Sequence, residues 1–320
     1  MTDDFIKGSR ESTLRQYQSA WRAFQLFLAA RPVTTVSLPV VWDFLSHVFH
    51  AKRRCAATVA TYAAALADPL QFAFGIDVRG RVWDMMKRAF YNQRPPRRRP
   101  GVFWCLQKVL DLLQGPDFST APGPHQLLRK ALFLVAMASG LRASQLHALV
   151  RSSTWLVFAE DGRQVSLAPS PRFLAKNERV GHTLRPLVLQ AWMEGPRHHA
   201  LCPVQALRSY VAATPGRGRV RLFIWPDSGR PLTRLHISKL LCGVIEEADP
   251  GKAPRGHDVR AMSSTLAFLR HHSLDRVMEQ GQWSSDHSFV SRYLLHSLGS
   301  VPCSTMAGPP SPQPASSSLD

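Results

Sequence analysis

Six side chains between positions 142 and 293 of this 320-residue sequence have the types that phosphodiester cleavage requires. The last of them is the fifth and final tyrosine of the chain, and the others supply cations, an imidazole and an indole. In chain order they are Arg142, Lys176, His257, Arg260, Trp283 and Tyr293. This order suits one chemistry, in which a phenol attacks a phosphodiester as a nucleophile.

Arg142 and Arg260 are the candidates for binding the phosphate. A phosphodiester gains charge on its equatorial oxygens as a nucleophile enters, so it requires two cations held in a fixed fork. Arg142 follows Gly140, which marks a break between two helical patterns. In so basic a chain an arbitrary arginine is more often solvated or in contact with a backbone phosphate, but the motif context of these two favours a role in the site.

His257 lies three residues before Arg260, so both side chains can face one pocket. Imidazole titrates near neutral pH, which makes His257 the candidate base or hydrogen-bond partner, although an isolated histidine is more often structural. The phenol of Tyr293 has an ordinary pKa of about 10, so cations and a base must promote its ionisation. The alternative is a core aromatic residue on an apolar helix face with Phe289 and Leu294.

The segments that carry these residues resemble the tyrosine recombinases, the phage-integrase family of DNA strand-exchange enzymes. The segments are residues 139–149, 256–260, 281–283 and 289–294. Each motif alone is weak, but their joint occurrence in the family's order is specific. The resemblance covers residues 10–297, and within the family it is strongest to the recombinases of eukaryotic transposable elements of the DIRS and Crypton type.

The resemblance implies a site-specific recombinase that cleaves and rejoins DNA through a 3′-phosphotyrosyl ester, without a metal or nucleotide cofactor. It makes Lys176, in the turn of a β-hairpin expected within residues 165–188, the acid that protonates the leaving 5′ oxygen; a solvated turn lysine is the alternative. Trp283 takes a place often filled by histidine, where its N–H can donate to the phosphate, although it can also be a packing residue.

Three features depart from the family pattern. Gln145 stands where most relatives carry an acidic residue, and the interval from Trp283 to Tyr293 is one residue longer than in the best-known members. Little sequence remains for the C-terminal helix that commonly docks on a neighbouring protomer. One alternative is therefore a catalytically silent DNA-binding protein derived from a transposable-element recombinase, and another is a monomeric topoisomerase of the same chemistry.

The predicted fold class is α+β, with an all-helical N-terminal domain and a mainly helical second domain that carries a small antiparallel sheet. We expect a helical DNA-binding domain over residues 9–93, a basic proline-rich linker over 94–101, a catalytic domain over 102–298 and a disordered tail over 299–320. The first domain should contain four helices, because apolar residues recur there at helical spacing. The third is expected around residues 58–66, with Pro69 interrupting the pattern.

Two basic segments are the candidates for contacting the DNA backbone. The first comprises Lys52, Arg53 and Arg54, followed by Thr58, and a solvated loop is the simpler interpretation. The second is the linker triplet, which can also serve as a nuclear-localisation patch and contains Arg97, Arg98 and Arg99.

Composition agrees with a double-stranded DNA partner, because the formal net charge is +18 and the isoelectric point is near 10.7, although an acidic protein would also suit this charge. We also expect self-association into a dimer or tetramer on DNA. The sequence contains no apolar stretch long enough to cross a membrane and begins with no signal peptide, which predicts an intracellular protein, and the DNA partner favours the nucleus. The five cysteines are scattered without a C-x-x-C pair, which predicts reduced thiols and no zinc site.

Overall fold

The computed structural model describes residues 11–32, 35–96, 104–173, 186–216, 221–271 and 273–275. The chain divides into two compact units, residues 1–99 and 100–320, and the division falls inside the segment 94–101. Both units are mainly helical, and a small antiparallel sheet belongs to the second. The α+β fold class is confirmed.

Four helices build the described part of the first unit. They are α1 (Glu11–Ala29), α2 (Leu38–His50), α3 (Ala56–Phe74) and α4 (Arg81–Gln93). Their apolar faces meet in an aromatic-rich core that includes Phe24, Phe27, Phe44, Phe49 and Phe90. Phe24 lies 5.0 Å from Phe44 between ring centroids, and Phe49 stacks on Phe90 at 4.3 Å. Such pairs add to the stability that burial of the rings provides.

The prediction that Pro69 interrupts the third helix is wrong, since α3 continues through it to Phe74. Proline lacks the N–H that would bond the carbonyl four residues earlier, which belongs to Ala65. In the structure the indole N–H of Trp21 in α1 donates to that carbonyl at 3.2 Å. The carbonyl therefore has a substitute donor, and the buried Leu66 and Leu70 hold the helix to the core on both sides of the proline.

The second unit is built around one buried helix. Within its described residues the helices are α5 (Leu106–Gln114), α6 (Pro116–Ser119), α7 (Pro124–Ser139), α8 (Ala143–Ala148), α9 (Pro203–Ala213), α10 (Arg234–Ala248) and α11 (Gly256–His271). Residues 130–136 of α7 are all buried, so this helix presents apolar surface in every direction. It packs against α9, α10 and α11 and forms the centre of the unit.

The sheet of the second unit contains three antiparallel strands in the order β1 (Leu156–Phe158), β2 (Gln164–Leu167) and β3 (Leu187–Gln190). Val165 pairs with Leu189, and both are buried on the face toward the core. On the outer face Ser166 pairs with Val188. A short hairpin of β4 (Met193–Glu194) and β5 (Arg197–His198) follows. Two paired antiparallel strands, β2 and β3, thus stand at the two ends of the segment 165–188, and the expected turn between them lies outside the described residues.

Candidate active site

Arg260 lies on α11 and is 1% exposed, which is unusual for a guanidinium. Its Nη1–H donates to the carbonyl of Gly140, at the end of α7. One turn further along α11, the hydroxyl of Ser263 donates to the Met137 carbonyl at 2.6 Å. Two side chains of α11 thus bond carbonyls near the end of α7, where a helix leaves such groups without partners. These bonds fix Arg260 against the segment that leads to Arg142.

Gly140 permits this close approach of α11 to α7. It ends α7 in the left-handed conformation, with φ 61° and ψ 19°, and its N–H donates to Ala136 at 2.9 Å. A Cβ atom at this position would lie 3.3 Å from the Ser263 hydroxyl and 3.7 Å from the Ser264 hydroxyl. The left-handed backbone and the crowded surroundings both favour glycine.

Arg142 follows Gly140 by two residues and is the N-cap residue of α8. Its backbone N–H donates to Oε1 of Gln145 at 3.0 Å, and Gln145 is 4% exposed. Just before it, the Leu141 N–H donates to the Ser139 hydroxyl at 3.2 Å. The backbone of Arg142 is therefore held on both sides. The Arg260 guanidinium bonds the carbonyl of Gly140, so it lies against the backbone two residues before Arg142.

The neutral amide of Gln145, which the sequence indicated could still orient Arg142, does so through the backbone. Gln145 is the third helical residue of α8, and its side-chain amide oxygen accepts the backbone N–H of the N-cap residue Arg142. In this capping-box arrangement glutamine and glutamate are interchangeable. The neutral residue therefore orients the backbone of Arg142 as a carboxylate would. It supplies no negative charge beside the guanidinium.

His257 begins the first turn of α11, three residues before Arg260, and its side chain is exposed while that of Arg260 is buried. The preceding Gly256 lies against α10: a Cβ atom there would collide with the Ser238 hydroxyl and lie 3.3 Å from the Ser238 Cα. The Asp258 carboxylate accepts the Arg255 N–H at 2.7 Å and so secures this end of the helix. His257 thus stands on a rigid helix start and is accessible from solvent.

Lys176, Trp283 and Tyr293 lie outside the described residues. The connection between β2 and β3, which contains Lys176, is described as far as residue 173. Its Ser170 N–H donates to the Ala148 carbonyl at 2.8 Å, at the end of α8. Because α8 begins directly after Arg142, this connection starts about 9 Å along the helix from that arginine.

Tyr210 is a second tyrosine of the unit that carries the arginines, and it is fully buried in α9. Its hydroxyl accepts the Ile224 N–H at 2.9 Å and donates toward the carbonyls of Leu222 and Ile224 at 3.3 and 3.2 Å. Burial raises the pKa of Tyr210 to about 12. A phenol so enclosed cannot act as a nucleophile toward a polymer substrate.

Sequence reasoning missed that several arginines bond the protein's own backbone. Arg151 donates to the Thr214 hydroxyl at 2.8 Å and to the Val211 carbonyl, and burial lowers its pKa. Arg221 donates to the Ala148 carbonyl at 3.1 Å. No spacing distinguishes these residues from arginines that face solvent, because their partners lie 60 or more residues away.

The first basic segment forms the loop between α2 and α3, residues 51–55, which we call the basic loop. Lys52, Arg53 and Arg54 are all exposed, and Thr58 is half-buried in the first turn of α3. The second basic segment, with Arg97, Arg98 and Arg99, lies outside the described residues.

The described residues contain no group of three or more His, Cys, Asp or Glu side chains arranged to hold a metal ion. Among their helices, none combines the length and apolar character needed to cross a lipid bilayer. Cys55, Cys105, Cys202 and Cys242 are free thiols.

No protein-family model and no curated protein matches this sequence. Solved structures do match over most of the chain. A lambda integrase dimer bound to a COC′ core site is 17% identical, with a TM-score of 0.57, and covers 92% of this chain and 94% of that one. XerH site-specific recombinase bound to its difH substrate is 15% identical, with a TM-score of 0.58, and covers 88% and 76%.

The Tn1549 transposon integrase in complex with transposon right end DNA is 13% identical, with a TM-score of 0.59, and covers 89% of this chain and 90% of that one. At this level of identity the similarity establishes the fold. This chain therefore has the fold of integrases and site-specific recombinases. The shared fold supports the resemblance to tyrosine recombinases that the sequence motifs indicate.

Proposed function

We propose that this protein is a site-specific DNA recombinase that cleaves and rejoins DNA through a 3′-phosphotyrosyl intermediate. The observation that carries the proposal is the bond from Arg260 to the Gly140 carbonyl, two residues before Arg142, on a fold shared with integrases and recombinases. Residues 9–93 would be the helical DNA-binding domain, residues 102–298 the catalytic domain, and 94–101 the linker between them.

In the proposed reaction the Tyr293 oxygen forms a bond to phosphorus while the bond from phosphorus to the 5′ oxygen breaks. Arg142 and Arg260 stabilise the charge that develops on the equatorial oxygens, with the Trp283 N–H as a further donor. His257 accepts the phenolic proton or a hydrogen bond, and Lys176 gives a proton to the leaving 5′ oxygen. One ester replaces another, so the step requires no nucleotide or metal, and a 5′ hydroxyl from a partner duplex reverses it.

The distribution of tyrosines supports Tyr293 as the nucleophile. Tyr17, Tyr62 and Tyr91 belong to the first unit, whereas both arginines belong to the second. Of the two tyrosines in the second unit, Tyr210 is enclosed in the core with its pKa raised to about 12. Tyr293 is the remaining phenol of that unit.

Charge and structural similarity support duplex DNA as the partner. The net charge of +18 favours a polyanion, and the lambda integrase structures contain a dimer on a core site and a tetramer on a Holliday junction. We extend both properties to this chain and propose that it self-associates on DNA. We further propose that it acts in the nucleus as a recombinase of the DIRS or Crypton type of transposable element.

The test is adduct formation with a suicide duplex, in which a nick just beyond the cleaved phosphate lets the short fragment with the free 5′ hydroxyl diffuse away. Wild-type protein should give a protease-sensitive covalent adduct on a denaturing gel, and Tyr293→Phe should give none while binding the duplex with wild-type affinity. Tyr210→Phe is the matched control and should still form adducts. Adducts from Tyr293→Phe would refute this assignment of the nucleophile.

The second candidate is a catalytically silent DNA-binding protein derived from such an enzyme. Gln145 favours it, because the amide preserves the helix cap but supplies no charge beside Arg142. The same gel separates the two candidates. A wild-type protein that binds duplex DNA tightly and never forms an adduct is the silent protein.

A further inference from the structure

The basic loop has a backbone that its own sequence does not favour. The N–H groups of Ala51 and Lys52 both donate to the His47 carbonyl, at 2.9 and 3.1 Å, and that of Arg54 donates to the Val48 carbonyl at 3.2 Å. Between them Arg53 has a φ of 51°, the left-handed region that residues other than glycine seldom occupy. Such a conformation persists only where surrounding contacts impose it.

Arg94, the residue that follows α4, makes those contacts. Its Nη2–H donates to the Phe49 carbonyl at 2.6 Å, and its Nη1 lies at a longer 3.5 Å from the Arg54 carbonyl. The guanidinium also lies over the Phe49 ring, 3.9 Å from the centroid, and that ring stacks on Phe90. One planar group thus bridges the carbonyls before and after the strained Arg53.

The rigid fork of a guanidinium sets the separation of the two carbonyls it reaches, which the single ammonium of lysine cannot do. Arg94 therefore differs from the three exposed cations of the basic loop, because it directs donors to the protein's own backbone and is half-buried. The sequence predicts that Arg94 lies in the linker over residues 94–101, whereas in the structure its side chain bonds the backbone of the helical unit.

We infer that Arg94 is a positioning residue, which holds the basic loop in the conformation that presents Lys52, Arg53 and Arg54 to the DNA backbone. This inference rests on the proposed function, since it assumes that the loop binds duplex DNA. Without the fork, Arg53 relaxes out of the left-handed region and the basic loop no longer holds the three cations in its folded conformation. DNA affinity then falls although no side chain that contacts phosphate has been removed.

The experiment measures duplex affinity by fluorescence anisotropy for Arg94→Lys and Arg94→Gln. Both should bind about tenfold more weakly than wild type, and the salt dependence of log K should become shallower by about 0.9 for each phosphate that the loop no longer neutralises. Arg88→Lys and Arg88→Gln are the matched controls, on an exposed position of α4, where lysine should bind as arginine does. Wild-type affinity in Arg94→Lys would overturn the inference, because charge alone would then account for Arg94.

A double-mutant cycle with Arg53→Gln separates positioning from a general loss of stability. If Arg94 acts through the loop, Arg94→Lys should weaken binding much less in the Arg53→Gln background than in wild type. A purely structural effect, or direct contact between Arg94 and DNA, would give additive losses and would overturn the inference.

Amide hydrogen exchange in the free protein tests the same contact without DNA. The amides of Lys52 and Arg54 should exchange faster in Arg94→Lys while those of the α2 interior are unchanged, and equal rates in both proteins would contradict the inference. If wild type binds no duplex DNA, the proposed function fails, whereas faster exchange still reports that Arg94 holds the loop.

Discussion

Gly140 is the residue that links the Arg260 side chain to the backbone segment of Arg142. Its carbonyl accepts the Arg260 guanidinium, its left-handed backbone turns the chain toward Arg142, and its missing side chain leaves room for Ser263. The positive φ and the lack of space beside Ser263 both exclude a larger residue at this position, and the bond from Arg260 requires α11 to lie this close.

Gly140→Ala should therefore lower the free energy of unfolding by more than the cost of the backbone conformation. That cost is about 1 to 2 kcal/mol for an L-residue in the left-handed region. Gly195→Ala is the matched control in the same unit, because Gly195 has φ 59° and no atom lies within 4 Å of the position that a Cβ would take. Urea denaturation should show the larger loss for Gly140→Ala, and equal losses would mean that the contact with Ser263 is not restrictive.

Lys176→Ala should slow DNA cleavage at least about 100-fold and leave duplex affinity nearly unchanged. The reason is that a general acid acts in the transition state and contributes little to ground-state binding. A substrate with sulfur in place of the 5′ bridging oxygen needs no proton to leave, so it should restore the rate of the variant. If this substrate fails to restore cleavage, another residue is the acid.

At the scale of the element, the start of α11 is fixed by its contact with α10. Gly256 lies so close to Ser238 that a Cβ atom would be 3.1 Å from the Ser238 Cβ and 3.3 Å from its Cα. Since His257 and Arg260 are the second and fifth residues of α11, this packing sets where both side chains point. The glycine of the Gly-His-x-x-Arg motif thus serves helix packing rather than a turn.

Gly256→Ala should destabilise the second unit by about 1 to 3 kcal/mol, the usual cost of overpacking, although alanine is the better helix former. Ser238→Ala removes the hydroxyl that the new methyl group would meet, so the double variant should regain part of the lost stability. Thermal unfolding of the two single variants and the double variant measures this coupling. Strictly additive changes would show that the two residues do not crowd each other.

Helical spacing in the sequence was sufficient to predict elements whose burial follows a local pattern. Val41, Leu45, Val48 and Phe49 lie buried on α2 as their spacing predicted. The continuation of α3 through Pro69 was not predictable in this way, because the donor that replaces the proline N–H comes from Trp21, 44 residues from its acceptor. Proline does remove one helix hydrogen bond, as the local rule states, and the tertiary contact from Trp21 replaces the missing donor.

The candidate site likewise contains features that the sequence predicted and features that only the folded structure shows. Arg142, His257 and Arg260 were identified from residue type and motif spacing, but the bond from Arg260 to Gly140 joins positions 120 residues apart. The burial of Tyr210 and the inward direction of Arg94 likewise depend on the packed fold. Sequence patterns indicate which residues can do the chemistry, whereas tertiary contacts decide which of them are accessible.

At the scale of the whole molecule, the count of 40 lysine and arginine residues overstates the number of cations available to DNA. Arg94, Arg151 and Arg221 donate to backbone carbonyls, and Arg129 pairs with Glu247. These guanidinium groups contribute to the field around the protein but are committed to the fold. The cations that displace counterions must therefore come from exposed positions such as the basic loop.

The dependence of duplex affinity on salt counts those exposed cations. If six or more phosphates are neutralised, affinity should fall by about 10³ or more between 50 and 200 mM salt. Replacing Arg97, Arg98 and Arg99 together by alanine should reduce the slope of log K against log salt by up to about 0.9 for each phosphate contact they make. Arg151→Ala is the contrasting variant, because its guanidinium bonds Thr214 and Val211. It should lower stability and leave the slope unchanged. Binding that does not depend on salt would exclude the backbone contacts on which the DNA-binding proposal depends.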